Sequence, residues 1–213
     1  MKGLIFTEPM FYAVIEVRKT QTRRIINPQP DIIRSIANDL AKHPGYEISE
    51  KTWTPAPAFH FLMSGSKFLD PRYKVGESVY IKEPFHNPDD FLIYYKYGTS
   101  VEWNSKIKWK NPRMMAARQA RFFIEITDVR CERVADISDE DCLMEGVKCF
   151  EQPIEHRFVY CYDVVPSADN GHVKYVGFNT PRDAYAALFD KINGKGSFER
   201  NPYVFVYEYK LIK

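Results

Sequence analysis

Arg121-Phe-Phe-Ile-Glu-Ile-Thr-Asp-Val-Arg-Cys-Glu-Arg-Val134 is the stretch that decides the fold. It is β-branched and aromatic with polar residues interleaved, which reads as one long strand with room for a bend or bulge. Ser78 to Glu83 alternates in the same way after the turn Lys74-Val75-Gly76-Glu77. Tyr203 to Leu211 puts Tyr203, Phe205, Tyr207, Tyr209 and Leu211 on one face, with Val204, Val206, Glu208 and Lys210 on the other. Residues 2 to 6 and 91 to 97 add two shorter strands. Helices are few. Thr7 as cap and Pro9 in the first turn open one whose stripe is Met10, Phe11, Val14 and Ile15, ending near Val17 to Lys19. Ser138 with Asp141 has the form of a capping box, and Gly146 stops the short helix that follows. Thr180-Pro181 opens the last helix, with Ala184, Leu188, Phe189 and Ile192 as its apolar face and Asn193-Gly194 as its stop. Several strands, few helices and no β-α-β rhythm predict an α+β fold, a small antiparallel sheet or barrel with peripheral helices.

Two segments do not join this pattern. Asn27-Pro28-Gln29-Pro30 breaks the chain. A short amphipathic helix over 31 to 42 follows, and then a proline-bearing irregular stretch to 72 with a strand near 59 to 63. Residues 147 to 178 are rich in Tyr, Val and Cys without clear periodicity. A chain of 213 residues fits a single domain, 1–213, carrying insertions at about 27–70 and 148–178.

Composition excludes some function classes. A formal charge of +2 argues against a general nucleic-acid coat, so any affinity for polyanions must be local. The four cysteines form no C-x-x-C pair and the histidines no H-x-x-x-H pair, so no metal site is expected and the thiols read as free. No dinucleotide or phosphate-loop motif occurs, and no cofactor is expected. No segment approaches the roughly 20 apolar residues of a membrane span, and a signal peptide's apolar region is missing, so the expectation is a cytoplasmic protein with no membrane partner. Trp53, Trp103 and Trp109 offer stacking or plain packing, and Met114, Met115 and Met144 read as core filler.

Chemistry concentrates in Arg18-Lys-Thr-Gln-Thr-Arg-Arg24, with four cations in seven residues. Cations at a helix C-terminus suit the helix dipole, which is the plain account of Arg18 and Lys19. The sharper one pairs Lys19 with Thr22. Residues three apart share a face on a turn but not on a strand, so this pairing needs a turn. Neighbouring cations and desolvation lower a lysine's pKa and let it activate a hydroxyl. Glu145 stands at the C-terminus of a helix, where the dipole disfavours a carboxylate, so it needs a partner such as Lys19 or an arginine. Glu83 closes a strand before Pro84, where a strand end can line a site mouth; a salt bridge is the plain alternative for both glutamates. Glu125 and Asp128 read as solvent-facing.

Five blocks in order carry a resemblance: Lys19-Thr-Gln-Thr-Arg-Arg24, Tyr73 to Glu83, Arg121 to Arg130, Ile137 to Val147 and Asn201 to Lys210. The chain resembles the ASCH domain family, a branch of the PUA-like β-barrel superfamily, and within it the longer bacterial and phage-encoded members. The resemblance implies a barrel with a cleft lined by the basic turn, open to RNA or a modified nucleoside. A small bacterial member is an amidohydrolase that removes the acetyl group of N(4)-acetylcytidine, and its lysine, threonine and glutamate match Lys19, Thr22 and Glu145. Arg24 is then the leading anion or base contact. Glu83, Arg23 and Arg121 are further ligand-binding candidates, with Arg18 and Arg23 in the background of the Lys19–Thr22 pair. The family's usual glycine before the basic pair is Val17 here, and the two insertions fall outside the match. Three readings follow: an amidohydrolase, a non-catalytic RNA or modified-base binding module, and a phage or mobile-element accessory protein whose insertions bind an unknown protein.

Overall fold

The computed structural model describes residues 1–27, 29, 71–88, 93–98, 107–152, 157–162 and 176–212. The expected helix over 31–42, the strand near 59–63, Trp53 and Trp103 lie outside them. The long strand is present as β6 (Phe123–Arg133), and it pairs antiparallel with β9 (Tyr203–Leu211) from Ile124↔Leu211 to Arg133↔Tyr203. The register shifts between Ile126 and Asp128. Thr127 is therefore an extra residue, and the buried side chains change parity, from Ile124 and Ile126 before it to Val129 after it. A strand whose apolar positions change parity along its length must bulge if its second half is to keep an apolar face inward.

Around this pair the main sheet has the order β1-β3-β6-β9-β2, where β1 is Lys2–Ile5, β2 Gln21–Ile25 and β3 Ser78–Lys82. It is a mixed α+β fold. One pairing departs from the antiparallel expectation: β1 runs parallel to β3, with Gly3 opposite Tyr80. Parallel neighbours need a crossover, and the chain between them, residues 6 to 77, supplies it. β1 and β2 occupy the two edges and share no ladder. A side chain spans from one to the other instead, Arg24 Nη2 donating to the carbonyl of Ile5 at 3.0 Å.

The strand expected over 91 to 97 is described only as β5 (Tyr94–Tyr95), paired with β4 (Phe85–His86). The second insertion holds an antiparallel hairpin, β7 (Lys148–Gln152) with β8 (Arg157–Cys161).

Helix α1 (Glu8–Ile15) buries Met10, Phe11, Ala13 and Val14 against the sheet. Thr7 occupies its N-cap position, although its hydroxyl makes no capping bond. Helix α2 (Asp139–Met144) is capped by Ser138, whose Oγ accepts from the Asp141 N–H at 3.1 Å. Helix α3 (Pro181–Asn193) is capped by Thr180, which accepts from Asp183 N–H at 3.1 Å. Its buried face holds Ala184, Tyr185, Leu188 and Phe189, while Ile192 is 49% exposed rather than in the core. Met115 is buried as expected, but Met114 and Met144 are exposed. Met114 sits in a tight turn (Pro112–Met114), where successive side chains diverge, so only one of the two can face inward. All four cysteines are free.

Candidate functional site

The site is assembled from two helix stops. At the end of α1, Val17 N–H bonds the carbonyl of Val14 and Arg18 N–H reaches back to Ala13, each at 2.9 Å. This is a Schellman stop, with Val17 in the left-handed region at φ 59. A β-branched residue there is strained by roughly 1–2 kcal/mol, which is why glycine is the usual occupant. At the end of α2, Gly146 N–H bonds Leu143 at 2.9 Å and Val147 N–H reaches Cys142 at 3.3 Å, with Gly146 at φ 100. The two stops abut. A Cβ on Gly146 would lie 3.2 Å from Met10 Sδ, 3.3 Å from Ala13 Cβ and 3.4 Å from Lys19 Cβ. Thr20 N–H donates to Met144 carbonyl at 2.9 Å, tying the start of β2 to the end of α2.

This arrangement turns Lys19 inward onto Glu145. Nζ donates to the Glu145 carbonyl at 2.7 Å and to its Oε2 at 2.5 Å, and both residues are 3% exposed. An ammonium has three N–H groups, so one remains. Burial of the ammonium pulls the Lys19 pKa below the ordinary lysine value; Glu145 opposes the shift, and the charges of Arg24 and Arg23 add to it. Glu145 thus has the partner that its place at a helix C-terminus required, and a second beside it. Arg23 Nη1 donates to Glu145 Oε1 at 3.1 Å. Each such charge-assisted bond is worth about 1.5–3 kcal/mol, against roughly 0.3–1 kcal/mol for the unfavourable dipole.

Arg23 is no background cation. It is 6% exposed and bonds Glu132 Oε1 at 2.9 Å and Asp141 Oδ2 at 2.6 Å, with its guanidinium 5.9 Å from the Tyr185 ring centre. Arg130 extends the network to Asp141 at 2.8 Å and to Glu208. Gln21 donates to Asp141 Oδ1 at 2.9 Å. Burial alone would raise the Asp141 pKa, but the bonds from Gln21 and Arg23 and the charges of Arg23 and Arg130 outweigh it and hold it below the usual carboxylate value. The sequence reading missed Asp141, Arg130, Glu132 and Tyr185. The usable signal was two opposite charges at alternate positions of one strand, Arg130 and Glu132, which in β6 share a face.

Thr22 does not share a turn with Lys19 as the spacing argument required. The chain reverses at Val17, and Thr22 already lies in strand β2. The two nonetheless line one cavity of about 600 Å³, together with Arg23, Arg24 and Glu145. Phe6 and residues from α3 form its apolar wall, including Leu188 and Ile192. The Thr22 hydroxyl makes no hydrogen bond to any described residue. Arg24 stands 5.7 Å over the Phe6 ring. Arg18 lies outside, bonded to Glu16 Oε2 at 2.7 Å.

Glu83 and Arg121 line neither this cavity nor the one beside it. They hold each other in a two-point pair, Nε to Oε1 at 2.7 Å and Nη2 to Oε2 at 2.6 Å. The strand end at Pro84 turns Glu83 into the protein rather than to a site mouth, leaving it 1% exposed.

The arrangement offers a buried amine of lowered pKa, a carboxylate and an unengaged hydroxyl around a pocket of small-molecule size. No helix among the described residues is long and apolar enough to cross a membrane. Comparison with protein-family models, with curated proteins and with solved structures returns no match to this chain.

Proposed function

We propose that the protein is an ASCH-like amidohydrolase that removes an acyl group from a modified cytosine base, with the five-stranded sheet as part of a PUA-like barrel and the Lys19 cavity as its cleft. The observation that carries this reading is the convergence of Lys19, Thr22 and Glu145 on one cavity of about 600 Å³. That volume suits a nucleoside-sized ligand. Arg24, at the cavity wall, supplies donors for the oxyanion.

In the reaction, neutral Lys19 takes the Thr22 proton and Thr22 Oγ attacks the acyl carbonyl carbon. The tetrahedral oxyanion collapses, the C–N bond breaks, and the proton taken up by Lys19 passes through the Glu145 carboxylate to the leaving exocyclic amine. Water then hydrolyses the acyl-threonine, releasing a carboxylic acid. A water activated by Glu145 and attacking directly, with Thr22 positioning the substrate, uses the same residues. Incubation with N(4)-acetylcytidine, followed by chromatography of cytidine and acetate, tests the reading. Turnover lost in Lys19→Ala and Glu145→Gln is expected; a Lys19→Ala protein that still turns over sinks both versions. An acyl adduct on Thr22, visible by mass spectrometry after rapid quench, separates the first version from the second.

One observation favours a second reading, a module that holds RNA or a modified base without turnover. Both carboxylate oxygens of Glu145 are already engaged, by Lys19 and Arg23. A ligand bound tightly and recovered unchanged selects this reading.

A further inference from the structure

A second cavity of about 580 Å³ adjoins the first and shares Ile5, Arg24 and Arg113 with it. Its charged lining is Arg24, Arg72, Lys82 and Arg113, with no carboxylate among the described lining residues. A chain with 30 basic and 28 acidic side chains would ordinarily mix the two signs over a surface of this size. The first cavity does mix them, with Glu145 between Lys19 and Arg23.

None of the four cations forms a salt bridge with a described residue. Arg24 Nη2 is engaged by the Ile5 carbonyl, but its Nε is buried with no partner. The Arg72 guanidinium lies 5.6 Å over the Tyr73 ring, and Lys82 Nζ donates to the Arg113 carbonyl at 3.2 Å. Lys82 reaches this position across β1 because residue 3 is glycine: a Cβ there would stand 2.4 Å from Lys82 Cε. Of the hydroxyls of the lining, Tyr73 donates to Gly3 carbonyl at 3.0 Å, while Tyr207 accepts from Arg72 N–H at 3.0 Å. What remains for a ligand is a set of cationic donors and the Tyr207 O–H over an aromatic floor of Tyr73, Phe205 and Tyr207. Guanidinium and ammonium groups gathered without a counter-charge match the oxygens of a phosphate.

We infer that the second cavity is a phosphate site, holding a phosphate of the nucleotide whose base occupies the first cavity. This rests on the base-binding reading of the first cavity and narrows its ligand from a free nucleoside to a nucleotide or an RNA residue. Arg24, common to both cavities, contacts the ligand where base and phosphate sites meet.

Isothermal titration of the full chain with cytidine, cytidine 5′- and 3′-monophosphate and ribose 5-phosphate tests it, using wild type and the Arg72→Ala/Lys82→Ala double variant, whose fold is checked by circular dichroism. One monophosphate is expected to bind at least about tenfold tighter than cytidine. That gain should vanish in the double variant and shrink as salt is raised. Equal affinity for cytidine and both monophosphates overturns the phosphate site while leaving the base site standing. Ribose 5-phosphate bound through Arg72 and Lys82, with cytidine unbound, keeps the phosphate site and overturns the base reading. No binding of any probe overturns both.

Discussion

Two buried glutamates, Glu145 and Glu83, solve the same electrostatic problem in different ways. Glu83 at 1% exposure and Glu145 at 3% must each offset the loss of water around a carboxylate. Glu83 does so with one planar partner. Arg121 meets both oxygens, donates also to Tyr97 carbonyl at 2.8 Å, and is stacked 4.3 Å over the Tyr95 ring. Burial pushes the Glu83 carboxyl up, with the bonds and charge of Arg121 opposing. The pair is closed on itself and lines neither of the two cavities. Glu145 divides its oxygens between an amine and a guanidinium, and the amine opens onto a cavity beside an unengaged hydroxyl. An arginine stays charged under any usable condition, so the cation of the Glu83 pair has one protonation state. A lysine with a depressed pKa has two within reach, and only the second can take up a proton from a substrate or a threonine. Burial alone therefore does not mark a working carboxylate; the partner's chemistry and the adjoining space do.

The largest effects break one pair at a time. Lys19→Ala and Arg121→Ala each leave a buried carboxylate short of its partner, and each is expected to cost about 3–5 kcal/mol in urea unfolding. Turnover of the acylated nucleoside separates them: it falls by roughly 10²–10⁴ in Lys19→Ala beyond any loss from unfolding. Arg121→Ala keeps its turnover wherever the protein is folded. Activity that collapses in a folded Arg121→Ala would erase the distinction between the two glutamates.

A smaller effect appears in the pH dependence. Because the folded Lys19 pKa lies below 10.5, the unfolded chain holds more protons between the two values, and the Lys19 contribution to stability rises with pH across that window. Below the folded value the lysine is charged in both states and its burial is a constant cost. Subtracting the stability profile of Lys19→Met from that of wild type should leave a curve that climbs toward alkaline pH. The catalytic reading places the rising limb of turnover in the same window. A flat difference curve would mean that Lys19 titrates as an ordinary lysine, like the permanently charged Arg121 in its consequences.

What the chain discloses about these two regions follows from sequence separation. The caps of α2 and α3 and the stop at Gly146 are local rules, readable from Ser138, Thr180 and the glycine itself. The bulge in β6 is nearly as local, since Ile124 and Ile126 cannot share a face with Val129 in a regular strand. The partners of Arg23 are another matter. Asp141 and Glu132 lie 118 and 109 residues away along the chain, and no periodicity connects them. Arg121 and Glu83 are 38 apart and were separately legible as polar residues at strand boundaries, but not as a pair. The need of Glu145 for a cation could be argued from the helix dipole, because that argument concerns a single helix. The capture of Glu83 by Arg121 depends on how two strands are juxtaposed.

Gly146 and Val17 give the next test, because the Glu145 region hangs on two left-handed helix stops. Gly146→Ala places a Cβ at a φ of 100 and within 3.4 Å of Met10, Ala13 and Lys19. About 2 kcal/mol of destabilisation is expected from the backbone conformation and crowding together. The new methyl presses on Lys19 Cβ, so turnover should fall further than stability predicts. A fall in stability alone would show that the Lys19–Glu145 geometry tolerates movement of its support.

The smallest effect has the opposite sign. Val17 is 60% exposed, so its side chain contributes little packing, while its φ of 59 carries the strain of a β-branched residue in the left-handed region. Val17→Gly removes that strain, worth roughly 1–2 kcal/mol, and gives back part of it as the larger chain entropy of glycine when unfolded. A net gain of about 0.5–1 kcal/mol in thermal or urea unfolding is expected. Turnover should stay as it is, because the hydrogen bonds of Val17 and Arg18 N–H to α1 are backbone bonds that glycine keeps. Lower turnover with higher stability would mean that the strained valine holds Lys19 in a pose the relaxed stop abandons, and the strain would then belong to the site rather than to the helix end.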